Sequence, residues 1–302
     1  MTTPPRGRIL SREGGSFDIL LDGGERVAAV LRGKARRGED KAVAGDRVRL
    51  DAALDGVQAI AAVEPRRNQL ERRTPEGRGV RVVAANVDEA FIVVAAKDPV
   101  PVPQLLDRFL AIASVNDIPV AVVVNKIELD PATALVERMG RAGYRVFSVS
   151  VKTGLGLDAL FAEMRREVSL VAGPSGVGKS SLLNALQPGL RLRTGEVSDR
   201  ARRGTHTTVA AVMVPLTGGG FLVDTPGFSE VGIWGVEPRE LARCFPDIEP
   251  FVGECRFQDC MHTKEPGCAV RHAVASGALQ ADRLESYLVL LQELTSGPRD
   301  WE

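Results

Sequence analysis

Aromatic side chains make up only 5% of this 302-residue chain, and it has four cysteines and three histidines. No apolar run approaches the roughly 20 residues that a membrane-spanning helix needs, and polar residues interrupt the longest ones. Residues 1–15 lack the apolar core of a secretory signal. A cytoplasmic home and no membrane partner are therefore expected. Four cysteines do not make a disulfide scaffold, and three of them fall within fourteen residues, which points to other chemistry. Net charge is also missing, with 39 basic and 39 acidic residues, but the balance is uneven. Residues 1–84 hold 17 Lys and Arg against 12 Asp and Glu, a net of +5, which leaves −5 for the rest. That bias suits a polyanion-facing surface or ordinary solvated charge equally well. What remains is a globular chain, 44% hydrophobic and 26% charged, with room for two or three domains.

One stretch organises the rest. Gly173-Pro174-Ser175-Gly176-Val177-Gly178-Lys179-Ser180-Ser181 follows the apolar run Val168–Ala172 and precedes a helix-like run, Ser181–Leu186. This is the G-x-x-x-x-G-K-S spacing in a strand–loop–helix setting. Its glycines let backbone N–H groups curl around a phosphate, Lys179 would reach the β- and γ-phosphates, and the Ser180 hydroxyl would ligate magnesium. More than half of the chain precedes this loop.

From Arg8 to about Val63, short strand candidates alternate with turn signals: Phe17–Leu21, Val27–Leu31, Asp46–Leu50 and Val57–Val63. This spacing predicts a small antiparallel barrel of the five-stranded OB type. Arg32, Lys34, Arg36 and Arg37 on one loop are phosphate-contact candidates, and Phe17 is the only aromatic available for base stacking. Backbone or shape recognition of RNA is the expectation. Residues 64–81 combine charge, proline and glycine without periodicity and read as a linker. Near-continuous apolar runs then alternate with helical patterns, Ala90–Ala96, Leu105–Ile112, Val120–Val124, Ala132–Arg141, Arg145–Val149 and Leu157–Glu167. That order predicts an α/β domain with a mainly parallel sheet.

Asn125-Lys126-Ile127-Glu128 directly follows one buried strand and is similar to the N-K-x-D guanine motif of GTPases, with glutamate for aspartate. Its acid would accept from the ring N1–H and the exocyclic amine, a donor pair that adenine lacks. Ser150-Val151-Lys152, ending the next strand, resembles the S-A-K base loop, with valine for alanine. Asp224-Thr225-Pro226-Gly227 resembles the D-x-x-G switch, in which Asp224 would hold magnesium through water and the Gly227 amide would sense the γ-phosphate. Either Thr207 or Thr208, in the polar stretch before it, would complete the magnesium shell. The position after Gly227 is Phe228, which cannot orient a water molecule, so His206 is the nearest side chain able to do so.

Cys255-x4-Cys260-x-His262-x5-Cys268 offers three thiolates and an imidazole, a closed tetrahedral set suited to one structural zinc ion. Cys244 lies outside this set and is expected to be buried, and His272 to be a surface residue. Ala281–Leu294 reads as an amphipathic helix with Leu284, Tyr287, Leu288 and Leu291 on its apolar face, packed on the zinc module.

The motif order is base loop, second base loop, phosphate loop, threonine switch, D-x-x-G. It is that of a circularly permuted GTPase, the usual order having the phosphate loop first. Barrel, permuted domain and Cys-x4-Cys-x-His-x5-Cys tail together resemble the RsgA/YjeQ family of bacterial small-subunit-dependent GTPases, over essentially the whole chain.

The resemblance implies an α/β P-loop GTPase domain, circularly permuted, with an N-terminal OB-type barrel and a C-terminal zinc-binding helical module. The expected limits are 1–66, 67–233 and 234–302. It implies GTP hydrolysis that is weak alone and stimulated by the small ribosomal subunit during late assembly. It also implies contact with ribosomal RNA through the barrel and the zinc module, a role for His206 in activating water, and a monomer. Loss of the γ-phosphate is further expected to shift the zinc module through Val231–Pro238. Two rival readings are an RNA-binding factor whose nucleotide domain only gates binding, and an ATP-dependent enzyme on the same loop.

Overall fold

The computed structural model describes residues 4–31, 42–54, 57–73, 80–190, 211–224 and 236–296. The first unit is a closed barrel of β1 (Arg6–Glu13), β2 (Ser16–Leu21), β3 (Arg26–Leu31), β4 (Arg47–Leu54) and β5 (Val57–Val63), in the order β1-β2-β3-β5-β4. Closure comes from β1 pairing with β4, and only β3 and β5 run parallel. Alternation along the strands drives this shape, with Ile9, Phe17, Ile19, Val48, Leu50 and Ile60 filling the interior. The sequence pattern had singled out four of these strands. The first one, RGRILSRE, mixes charge with apolar residues and hides its alternation.

The expected linker at residues 64–81 is a finding of a different kind. β6 (Gln69–Arg73) and β7 (Val80–Ala85) pair there as an antiparallel ribbon. The chain between barrel and ribbon is tied down by Arg66, whose guanidinium grips the fully buried Asp46 at 2.7 and 3.0 Å. The ribbon also meets the barrel edge through backbone, with Ala85 N–H donating to Ala44 O at 3.0 Å. Gly45 is required at this contact. Its φ is +94°, and a Cβ there would lie 1.9 Å from Ala85 O.

The central sheet has six strands in the order β10-β9-β8-β11-β13-β12. These are β8 (Glu89–Ala95), β9 (Val120–Asn125), β10 (Arg145–Ser148), β11 (Val168–Ala172), β12 (Val212–Pro215) and β13 (Phe221–Asp224). All neighbours are parallel except the edge hairpin β12–β13. Helices α1 (Pro103–Val115), α2 (Thr133–Arg141), α3 (Leu157–Met164) and α4 (Lys179–Leu186) provide the crossovers. Residues of β8 serve two cores alternately. Phe91, Val93 and Ala95 pack with α3 and α4, while Ala90, Ile92 and Val94 pack with α1.

The C-terminal segment has two 3-10 turns (Leu241–Cys244 and Glu249–Phe251), then α5 (Ala269–Ala275) and α6 (Ala281–Ser296). Cys244 is buried, as expected, which pushes its thiol up to about 11, and His272 is exposed. The expected apolar face of α6 is rotated. Arg283, Ser286, Tyr287, Leu290 and Leu291 are its buried positions, whereas Leu284 and Leu288 are only partly covered. The reason is a second partner. Beyond the cysteine-rich segment, α6 docks on α1, where Arg283 meets Asp107 in a pair with no exposed side-chain surface. Asp107 also takes Arg138 of α2 at 2.7 Å, and Arg283 also takes Asp247 at 2.8 Å. Among the described residues no helix is long and apolar enough to cross a membrane.

Candidate nucleotide site and metal cluster

Parallel strands leave their carboxyl ends on one edge, and the chain reverses its direction of travel across the sheet between β8 and β11, the position where α/β folds open a ligand crevice. The loop Gly173–Gly178 leaves β11 at this crevice and enters α4. Gly173, at φ +139°, passes so close to β8 that a Cβ would sit 2.1 Å from Val93 O, so no other residue fits there. The Lys179 ammonium lies inside the arc, donating to Gly173 O at 2.7 Å and Pro174 O at 2.6 Å. Burial holds its pKa below the usual lysine value. Ser180 and Ser181 are exposed on the first turn of α4, beside Ser175 and Gly176, also exposed. Asp224 ends β13, the neighbour of β11, and is 5% exposed. Ser180, on the first turn of the helix that follows β11, and Asp224, at the end of the neighbouring β13, are hard oxygen donors of the kind magnesium takes.

One side chain links three loops. Asn125, 2% exposed at the end of β9, donates through Nδ2 to Val177 O at 2.9 Å and accepts through Oδ1 from Val151 N at 3.3 Å. Lys126 follows in a left-handed conformation, φ +65°. Its ammonium donates to Gly176 O at 2.8 Å and to Asp98 O after β8, which holds the unusual backbone in place. Ile127 N–H donates to Val149 O, bringing the ends of β9 and β10 together. Glu128 is exposed, and its carboxyl is held below the usual glutamate value by the Ser150 hydroxyl first, then by its own backbone N–H and by Lys152 and Lys126. The buried Ser150 in turn accepts from Thr153 N at 3.1 Å, which orients the hydroxyl. An ionised carboxylate at this rim is an acceptor for two parallel N–H donors. His206, Thr207, Thr208 and Gly227 lie outside the described residues, as do Arg32, Lys34, Arg36 and Arg37 on the barrel loop and most of Val231–Pro238.

The second cluster is far from this edge in sequence. Donor atoms of Cys255, Cys260, His262 and Cys268 all fall within 4.8 Å of one another. His262 Nδ1 stands 3.5 Å from Cys255 Sγ and 3.4 Å from Cys268 Sγ, and those two sulfurs are 4.0 Å apart. A tetrahedron with ordinary zinc–sulfur and zinc–nitrogen bonds has edges of roughly 3.6–3.8 Å, so the residues fit such an ion. Backbone N–H groups support thiolate charge, Ala269 N donating to Cys255 Sγ at 3.3 Å and Arg271 N to Cys268 Sγ at 3.5 Å. His262 adopts φ +61°, and its ring packs 5.9 Å from Tyr287 of α6, whose hydroxyl donates to Met261 O at 3.0 Å. Sequence reasoning did not foresee Arg283 and Asp107. Their signal was present, because each charge stands within an apolar helical stripe, Leu106–Leu110 in one case and Tyr287–Leu290–Leu291 in the other.

A phosphate loop reached only after two base-side loops, on one edge of a parallel sheet, defines a circularly permuted P-loop GTPase. The comparisons agree. A family model described as RsgA GTPase matches residues 63–234. A Gemmatimonas aurantiaca protein named small ribosomal subunit biogenesis GTPase RsgA is 46% identical, covering 97% of this chain and 99% of its own. The protein of that name from Moorella thermoacetica is 42% identical over 98% and 99%. The crystal structure of YjeQ from Thermotoga maritima superposes with a TM-score of 0.83 at 34% identity, covering 98% of this chain and all of its own. YloQ, described as a circularly permuted GTPase, gives 0.78 at 30% identity over 98% and 97%. The chain belongs to the RsgA GTPase family and is a GTP hydrolase.

Proposed function

We propose that this GTPase binds the small ribosomal subunit and hydrolyses GTP to GDP and phosphate during late assembly of that subunit, slowly alone and faster on the subunit. The observation that carries the nucleotide reading is Asn125, which ties the phosphate loop at Val177 to the second base loop at Val151. The names of the relatives supply the subunit.

In this reading guanine lies against Asn125, Lys126, Ile127 and Glu128, with Ser150, Val151 and Lys152 closing over its O6 side. Gly173 to Ser181 hold the phosphates, and Gly227 senses the γ-phosphate. Magnesium, which neutralises charge on the β- and γ-oxygens, is held by Ser180, by Asp224 through water, and by Thr207 or Thr208. His206 orients the attacking water. Cys255, Cys260, His262 and Cys268 hold one structural zinc ion with no open position for catalysis. The functional units are residues 1–66, 67–233 and 234–302. The first and last face ribosomal RNA, and the protein acts as a cytoplasmic monomer.

The test is GTP turnover with and without purified small subunits, for wild type and His206→Ala. Stimulation of wild type and its loss in the variant are expected. Equal turnover with and without subunits overturns the reading, and clear preference for ATP in competition overturns the base-site assignment.

A further inference from the structure

The barrel does not meet the nucleotide domain at random. Along β1 alternate residues face opposite ways, Ile9 into the barrel core and Arg8 and Leu10 outward onto the edge hairpin β12–β13. Leu10 and Ala44 of the barrel share a buried cluster with Ala211, Met213 and Val223 of that hairpin. Arg8 places its guanidinium over the ring of Phe221, 5.2 Å from the centroid.

Where this hairpin leads is what matters. β12 begins directly after residues 201–210, which carry His206, Thr207 and Thr208, and β13 ends at Asp224, directly before the D-x-x-G turn. Val212 stands opposite Asp224 in the ladder, and Pro215 opposite Phe221. Both switch segments are therefore continuous in sequence with this hairpin.

Arg8 is an unusual fastening for such a position. Its Nε and Nη1 are buried without a hydrogen-bond partner among the described residues. The nearest carboxylates are engaged elsewhere, Asp22 by Arg47 at 2.9 Å and Asp88 by Arg67 and by Val168 N. Burial first, and then the charge of Arg47, hold its pKa below the usual arginine value. A part-buried cation whose partner is a ring face has no hydrogen bond fixing its distance or direction, so the ring can shift beneath it. A fully hydrogen-bonded pair would resist the same displacement.

We propose that Arg8 is a positioning residue for stimulated GTP hydrolysis, clamping Phe221 so that a polyanion engaging the barrel resets both switch segments through the β12–β13 hairpin. This rests on the reading that RNA of the small subunit is the barrel's ligand. Linkage makes the coupling reciprocal: the nucleotide must alter the barrel's affinity for its ligand by the factor by which the ligand alters nucleotide affinity.

Full-length Arg8→Met keeps the apolar stem and removes the cation. Basal turnover and subunit affinity should stay within about threefold of wild type, while subunit-stimulated turnover falls by about tenfold or more. Phe221→Leu should reproduce this, and the double variant should be no worse than either single one, as for two residues acting as a unit. Hydrogen exchange supplies a readout that needs no ribosome. In wild type, protection of β1 should differ between GDP and a non-hydrolysable GTP analogue, and in Arg8→Met that difference should vanish. Undiminished stimulation in both single variants overturns the proposal, as does a loss matched by an equal loss of subunit affinity. Nucleotide-independent exchange of β1 in wild type overturns it too. Absence of stimulation in wild type itself counts against the ribosomal reading, and the exchange result then decides the coupling alone. Should Arg8→Met fail to fold, Phe221→Leu carries the same outcomes.

Discussion

The two ends of the chain are fastened to the nucleotide domain by opposite means. The barrel is held by the Arg66–Asp46 pair and backbone and Asn86 bonds at its ribbon side, and at the β12–β13 hairpin by small apolar contacts and one cation lying on a ring. The C-terminal segment is held by a buried network in which the charges answer one another, with Asp107 between Arg138 and Arg283 and Asp247 against Arg283, and with the partly exposed Asp282 against Arg138 at its rim. Burial alone opposes the Arg283 charge, but the hydrogen bonds it donates to Asp247 and the charges of Asp107 and Asp247 outweigh it and place its pKa above the usual arginine range. The Phe245 and Tyr144 ring centroids lie 4.8 and 5.7 Å from the guanidinium, and burial pushes the Tyr144 hydroxyl up to about 12. Such a network adds little net stability over apolar packing, yet it admits one register and penalises every other. Among the described residues, the barrel's contact with the β12–β13 hairpin has no such network.

The comparison is broken most severely by removing the metal. Chelation should unfold the segment around Cys255–Cys268 and free α6 from α1, since metal binding contributes about 10–16 kcal/mol to folding in small zinc modules. Hydrogen exchange should then rise in α5 and α6 and stay unchanged in β1. Retained protection of α5 would mean that the metal is not what holds this junction.

Asp107→Ala comes next. It leaves two guanidinium groups facing each other in a buried site and should cost about 3–5 kcal/mol by denaturant unfolding of the metal-loaded protein. Met213→Ala, at the barrel junction, opens a cavity and should cost about 2–3 kcal/mol, with protection lost in β1 and kept in α6. If both variants loosen the same elements, the two junctions are not independent. The smallest effect is expected for Arg108→Ala. Its partner Glu293 lies in the same α1–α6 seam, but both side chains are about one-third exposed, so the change should stay under about 1 kcal/mol.

The parts legible in the sequence are those whose geometry is written in consecutive residues. The phosphate loop, the Asn125–Glu128 loop and the cysteine cluster each need particular residue types at fixed local spacing, and each expected element lies where the pattern put it. The ribbon Gln69–Arg73 and Val80–Ala85 escaped notice because its first strand, QLERR, shows no apolar alternation. Its pairing is fixed from outside, by the barrel edge and by Asn116, whose side chain accepts from Glu71 N at 3.0 Å. The face of α6 was misjudged for a related reason. Arginine on a helix ordinarily reads as solvent-facing, and the carboxylates that draw Arg283 inward, Asp107 and Asp247, lie in separate segments of the chain. Local spacing carries no information about partners that far away.

Asp107 and Arg283 are 176 positions apart, and that distance has a meaning during synthesis. A chain emerges from its amino end and folds as its segments become available. The sheet from β8 to β11, with both base-side loops, is complete long before Arg283 exists, and throughout that interval Asp107 has Arg138 of α2 as its partner but not Arg283. The covered face of α1 forms only when the last helix arrives. A chain released short of residue 283 would carry every loop that grips the nucleotide beside a helix face covered only in part, by the turn Leu241–Cys244. The final helix is thus the last piece of that cover to be translated, its Arg283 coming 176 positions after Asp107.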